Sequence, residues 1–152
     1  MLISKKKVII YSDGSCINNP GAGGYAALLI HDSKKYSEKV IYGNEKHTTN
    51  NRMELMAAIA GLKALKSSCE VTVISDSKYL VNGMSIWIKK WQINNFLNAQ
   101  KKPIPNQDLW QELLKLANYH SINWQWVKAH NGDELNERVD EIARQQAYMI
   151  NN

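Results

Sequence analysis

The chain has 152 residues, 44% of them hydrophobic, which suits one core, and no Ser/Pro/Gly-rich linker or internal repeat divides it; a single domain over 1–152 is expected. Its longest unbroken apolar run, Tyr25 to Ile30, is far short of the roughly 20 residues of a membrane span, and Met1-Leu2-Ile3-Ser4-Lys5-Lys6-Lys7 lacks the apolar segment of a signal peptide, so the expectation is a cytoplasmic protein with no membrane partner. A formal charge of +5 and a pI near 9.1 permit a polyanionic partner without requiring one.

Lys7 to Ser12 is a β-branched run, Gly24 to His31 a second and Tyr36 to Tyr42 a third, with turn-forming Asn18-Asn19-Pro20-Gly21 and Asp32-Ser33 between them. Connections this short make antiparallel neighbours. From Asn51 the period becomes helical, with Leu55, Ile59, Leu62 and Leu65 on one stripe and alanines that allow close packing on a sheet, up to about Lys66. Val71 to Ser75 is a fourth strand, followed by a helix from about Ser77 to Trp91. A basic stretch closed by Pro103 and Pro105 comes next, then a helix with Asn106 as its cap carrying Leu109, Leu113 and Leu116. Ile122 to Trp126 alternates as a fifth strand, and Glu137 to Ile150 is a terminal helix. Three meandering strands followed by βαβ crossovers predict an α/β fold, a mixed five-stranded sheet with helices on both faces.

Four acids stand out against this frame. Asp13 ends the run Val8-Ile9-Ile10-Tyr11, Asp76 ends Val71-Thr72-Val73-Ile74, and Glu54 and Asp140 lie in helical patterns. If the first and fourth strands are neighbours, Asp13 and Asp76 emerge side by side at their carboxyl ends, where sites form in α/β sheets. Carboxylates packed together without matching Lys or Arg need divalent cations to be tolerable. Singly, each has an ordinary reading: Asp13 or Asp76 as a turn residue or helix cap, Glu54 as part of a capping box in Asn51-Arg52-Met53-Glu54, Asp140 as a solvated helix residue. Their joint placement favours a metal site.

Other motifs are weaker. Gly21-Ala22-Gly23-Gly24 is followed by a strand, not a helix, so it reads as turn glycines; no GxxxxGK[ST] or HExxH occurs, against a P-loop enzyme or a zincin. Cys16 and Cys69 have neither the spacing nor the number for a disulfide framework or zinc site, and reduced thiols are expected. Lys89, Lys90, Lys101 and Lys102 cluster around Trp87, Trp91 and Phe96, a plausible nucleic-acid surface. His130 leaves the last strand for a polar loop, where it is either simply exposed or a proton shuttle.

Tyr11-Ser12-Asp13-Gly14-Ser15-Cys16, Asn19-Pro20-Gly21, Thr49-Asn50-Asn51-Arg52-Met53-Glu54-Leu55, Ser75-Asp76-Ser77 and Trp126-Val127-Lys128-Ala129-His130 through Asn136-Glu137-Arg138-Val139-Asp140 together resemble bacterial type 1 ribonuclease H, over about Lys7 to Ala147. The resemblance implies sheet order 3-2-1-4-5 and a monomeric endonuclease that cuts the RNA strand of RNA/DNA hybrids, leaving 5′-phosphate and 3′-hydroxyl ends. It implies two Mg²⁺ ions during catalysis, with Mn²⁺ as substitute, held by Asp13, Glu54, Asp76 and Asp140, and His130 assisting proton transfer and product release. Cys16, Asn19, Thr49, Asn50 and Asn51 match positions that contact the hybrid, and the stretch carrying Trp87, Lys89, Lys90, Trp91, Lys101 and Lys102 matches the family's basic handle. Three departures bear on substrate affinity: Lys78 stands where a glutamine is common, His47 where an arginine often holds a DNA phosphate, and Gln92-Ile93-Asn94 where the handle is usually more basic.

Overall fold

A computed structural model describes residues 5–31 and 37–151. In chain order the elements are β1 (Lys7–Cys16), β2 (Gly21–His31), β3 (Ser37–Thr48), α1 (Asn50–Lys63), β4 (Glu70–Ser75), α2 (Lys78–Asn82), a π-helical turn (Gly83–Trp87), α3 (Ile88–Ile93), α4 (Gln107–Tyr119), β5 (Ser121–Trp126) and α5 (Glu134–Asn151). The strands form one sheet in the order β3-β2-β1-β4-β5. β1/β2 and β2/β3 are antiparallel and β1/β4 and β4/β5 parallel, as the short early connections and later helical crossovers predict.

The two-residue period of β2 divides the interior. Ala27 and Leu29 join the main core with Ile10 and Val73 of the neighbouring strands, Leu55 and Leu62 of α1, and Trp110 and Leu113 of α4. Ala26 and Leu28 point to the opposite face and meet Val139 and Ala143 of α5. Helices therefore cover both faces of the sheet. Burying each large aliphatic side chain of this kind contributes about 1.5–3 kcal/mol, and the larger layer dominates. Trp110, fully buried, anchors it, with ring centroids 5.1 Å from Tyr79 and 4.8 Å from Trp91.

Several boundaries differ from those expected, each for a physical reason. β1 continues through Asp13 to Cys16, because Gly14, Ser15 and Cys16 go on pairing with β2 after the β4 ladder has ended at Ser12–Ser75. β3 extends to Thr48 despite the polar run after Tyr42, since an edge strand pairs on one side only and tolerates polar, exposed side chains. α5 starts at Glu134 rather than Glu137: the Asp133 carboxylate accepts from the backbone N–H groups of Leu135 and Asn136 at 3.1 and 3.2 Å and so caps it. α1 ends at Lys63, before the expected Lys66. The helix expected from Ser77 to Trp91 runs to Ile93 and contains the π turn. Asn106 does occupy the N-cap position of α4, but with φ 60° and no capping bond from its side chain. The turn expected at Asp32-Ser33 and the strand start at Tyr36 lie outside the described residues.

Gly21 to Gly24 are not turn residues; they open β2. At Gly24 the reason for glycine is close approach, because a Cβ there would overlap the backbone of α5 at Ala143 and Ala147. Gly24→Ala is therefore expected to push α5 off the sheet and lower stability by about 2–3 kcal/mol. Urea denaturation of the two proteins checks this, and an unchanged midpoint would mean that α5 packs less tightly on β2 than described.

Candidate metal centre and nucleic-acid interface

β1 and β4 run parallel and adjacent, so Asp13, one residue beyond the last β1–β4 pair, comes beside Asp76, one residue beyond the end of β4. α1 lies across the same ends. Thr49 caps it, its hydroxyl accepting from Arg52 N–H at 3.2 Å, and Glu54 falls on the turn facing β1. The Glu54 carboxylate accepts from Gly14 N–H at 2.6 Å. It is no capping-box residue: its bond crosses to another element. Glycine at 14 permits this contact, since a Cβ there would collide with the backbone at Met53 and Glu54. Asp13, Glu54 and Asp76 each offer a carboxylate oxygen within 4.8 Å of the others, and Asp13 and Glu54 are only 3% and 6% exposed.

Electrostatically this arrangement is unfavourable without a cation. Burial, then the charge of Glu54, pushes the Asp13 carboxyl up from 3.8 to about 12. Burial likewise raises Glu54 from 4.5 to about 8, and raises Asp76, in each case against an opposing hydrogen bond with Asp13. The carboxyls share protons because they cannot all ionise side by side in a low dielectric. No Lys or Arg forms an ion pair with any of the three among the described residues. Hard oxygen donors, closely grouped, mostly buried and uncompensated, fit a divalent cation.

Asp140 stands at the edge of this trio. It raises the carboxyls of Asp13, Glu54 and Asp76, while its Oδ2 accepts from Arg144 Nε at 3.1 Å. His130 lies in the bend between β5 and α5, exposed and with φ 56°, close enough to Asp76 that its charge would hold that carboxyl down. Two neighbours of Asp76 were not anticipated from sequence. Asn136, 2% exposed, holds the Asp76 carboxyl down against its burial, while its own Oδ1 is buried without a partner; the signals available were its position one helical turn before Asp140 and its place at the head of the stretch Asn136 to Asp140. Trp126 donates from Nε1 to the Asp76 carbonyl at 3.0 Å.

Asn19, Thr49, Asn50 and Asn51 line one groove of about 410 Å³, and Asn50 N–H donates to Asn19 Oδ1 at 2.9 Å. Pro105 and Asn106, read from the sequence only as a stretch end and a helix cap, form its other wall. Arg52 ties the walls together, bidentate to Asp108 at 2.9 and 3.0 Å and reaching Asn106 Oδ1 at 3.2 Å. The Cys16 thiol is not among the lining groups; it approaches the Thr48 carbonyl at 3.4 Å. Both cysteines are free. In the basic stretch, Trp87, Lys90, Trp91 and Lys101 line an open groove of about 860 Å³. Lys89 and Lys102 are exposed outside that lining, and Phe96 belongs to the core rather than to the surface.

Stability should follow the charge of the cluster. An acid whose folded-state pKa is raised binds its proton more tightly when folded, so its contribution is full below the unfolded value near 4 and falls as pH rises toward the folded value. In chelator, the urea midpoint is therefore expected to fall between pH 5 and pH 8, through the Glu54 range, and millimolar Mg²⁺ to restore it. Asp13→Asn should flatten this dependence and stabilise the chelated protein at pH 8 by about 1 kcal/mol. A chelated midpoint that rises over that interval would contradict the cluster.

No helix of the described residues is long and apolar enough to cross a membrane. The family model described as RNase H matches residues 5–148. Over 142 residues the chain is 50% identical to the ribonuclease H of Wolbachia pipientis wMel, covering 93% of this chain and 96% of that protein. It is 52% identical over 139 residues to the ribonuclease H of Francisella tularensis subsp. novicida (strain U112), covering 91% and 90%. Among solved structures, LC9-RNase H1, a type 1 RNase H with the type 2 active-site motif, superposes with a TM-score of 0.89 at 29% identity, over 98% of this chain and 75% of that one. A mixed sheet ordered 3-2-1-4-5, an acid cluster at its carboxyl ends and this similarity along nearly the whole sequence converge: the chain belongs to the RNase H family of nucleases.

Proposed function

We propose that this protein is an endonuclease that hydrolyses the RNA strand of RNA/DNA hybrids by two-metal-ion catalysis with Mg²⁺, Mn²⁺ serving as substitute, and leaves 5′-phosphate and 3′-hydroxyl ends. The observation that carries the reading is the uncompensated trio Asp13, Glu54 and Asp76 in a chain of the RNase H family. Divalent ions bound there would activate a water and neutralise charge on the leaving oxygen.

The protein's own groups divide the remaining work. Asp13, flanked by the other acids, is the carboxylate assigned to both ions; Glu54 is oriented by Gly14 N–H. Asp76, whose carboxyl Asn136 holds down, and Asp140, steadied by Arg144, complete the set. His130, outside the trio, is assigned the proton released by the attacking water, a task that fits an exposed imidazole better than metal ligation. The groove of Asn19, Thr49, Asn50 and Asn51 offers amide and hydroxyl groups of the kind that read 2′-hydroxyls and backbone phosphates. Cys16, whose thiol approaches the Thr48 carbonyl beside Thr49, is assigned a contact with the hybrid. Trp87, Lys89, Lys90, Trp91, Lys101 and Lys102 form the handle that holds the duplex through charge and aromatic surface. The reading takes 1–152 as one domain acting as a cytoplasmic monomer.

Digestion of end-labelled RNA/DNA hybrid, RNA duplex and DNA duplex side by side tests the proposal. Only the hybrid should be cut, only on its RNA strand, and not in chelator, while Asp13→Asn should lose almost all activity. Equal cleavage of a DNA duplex would instead indicate a structure-specific DNA nuclease on the same fold.

For His130→Ala the expected result is a kcat lower by about tenfold to a hundredfold with Mg²⁺ half-saturation little changed, the pattern of a proton carrier. A Mg²⁺ titration of both proteins separates this role from ligation, since a ligand's loss would shift the half-saturation point.

A further inference from the structure

Lys78 is the first residue of α2, two positions after Asp76 of the acid trio. It nevertheless forms no ion pair among the described residues. Its ammonium lies over the ring of Trp126, 4.8 Å from the centroid, and that ring is 42% exposed. The edge of the same indole is fixed, since Nε1 donates to the Asp76 carbonyl at 3.0 Å. Ser77 completes the fixation: its N–H bonds Ser75 Oγ at 3.0 Å and its hydroxyl accepts from Leu80 N–H at 3.1 Å. A long, flexible cation is thus held on an aromatic face anchored to the backbone of an acid-cluster residue, with its charge unspent on the nearby carboxylates. A cation–π contact restrains an ammonium without neutralising it, because the ring carries no net charge.

We propose that Lys78 binds a backbone phosphodiester of the cleaved duplex, next to the one at the acid cluster, and that Trp126 is the positioning residue that presents it. The inference rests on the hybrid nuclease reading and assigns to that site a cation distinct from the handle lysines. A phosphate recruited here would lie at a fixed offset from Asp76, because one indole side chain touches both Lys78 and the Asp76 backbone.

The test measures binding of a short RNA/DNA hybrid in chelator as a function of salt, and KM and kcat in Mg²⁺, for wild type, Lys78→Gln and Lys78→Arg. Loss of one phosphate contact should reduce the slope of log affinity against log salt by about 0.7–0.9. Lys78→Gln is expected to show that reduction, with KM raised about threefold to tenfold and kcat altered less than KM; Lys78→Arg should retain the wild-type slope. In the Trp126→Leu background, Lys78→Gln should have a smaller effect than in wild type, as a positioned contact requires. If Lys78→Gln leaves slope and affinity unchanged while wild type cleaves the hybrid, the phosphate role is overturned and the nuclease reading stands. An undiminished effect in the Trp126→Leu background overturns the positioning role of Trp126. Absence of hybrid cleavage by wild type is the separate result that removes the underlying reading.

Discussion

Bringing Asp13, Glu54 and Asp76 together out of water is the constraint on which the rest of this structure depends. Each carboxylate loses hydration, and Glu54 and Asp76 disfavour ionisation of Asp13 while Asp76 disfavours that of Glu54. The local donors do not offset that burial, since all three carboxyls remain raised, so the grouping must be imposed by elements whose own stability lies elsewhere. The main core does this. Ile10 and Val73 pin β1 and β4 side by side, while Leu55 and Leu62 press α1 onto them. The acids sit just beyond this apolar layer, at the ends of elements that cannot separate without opening it. A cluster of hard oxygen donors is thereby built in by the apolar core.

The first turns of α1 couple that site to the neighbouring groove. Asn50 and Glu54 are four residues apart and lie roughly on one side of the helix, a rise of about 6 Å. One end meets Asn19 through the Asn50 N–H; the other reaches Gly14. Between them Arg52 turns outward to Asp108 and Asn106, fixing α1 against the start of α4. A shift of α1 large enough to disturb the groove would also move Glu54 relative to Asp13. Surface ion pairs usually contribute little, but this one is bidentate and continues through Asn106 to the Tyr79 hydroxyl, on which Trp110 Nε1 also converges. Its value lies in geometry more than in net stabilisation.

Much of this was legible in the sequence because period and turn chemistry are local. The sheet, its order and the two helical layers followed from alternating runs and short connections together with the family resemblance, and three of the four acids converge as their places at strand and helix ends suggested. What could not be read depends on partners distant in sequence. Gly24 looks like a turn glycine until α5 is laid across it. The capping-box reading of Glu54 fails because Gly14, forty residues away, offers a closer donor. The π turn at Gly83–Trp87 inserts an extra residue per turn that hydrophobic spacing does not register, and it resets the phase of Trp87 and Trp91, whose centroids end 5.9 Å apart. Asn136 and Trp126 stood in stretches that carry the family resemblance, but neither was read as a neighbour of Asp76, since that contact joins β5 and α5 to the end of β4.

Charge is divided between two ranges of action. The net +5 acts at a distance and favours approach of a polyanion, within the screening length of about 8 Å at physiological salt. The acid cluster acts at contact and has the opposite sign, so under the proposed function the surface that would attract a duplex and the centre that would touch it work against each other in the absence of cations. Cation binding removes that conflict locally without altering the long-range field much. Cationic groups outside the cluster then serve best where they are held away from the carboxylates. Lys90 and Lys101 meet that condition on the groove of the basic stretch, and Lys78 meets it on the face of Trp126. At Trp126 an aromatic surface restrains a lysine side chain whose charge remains available, which lets cationic and anionic groups share one small surface without cancelling.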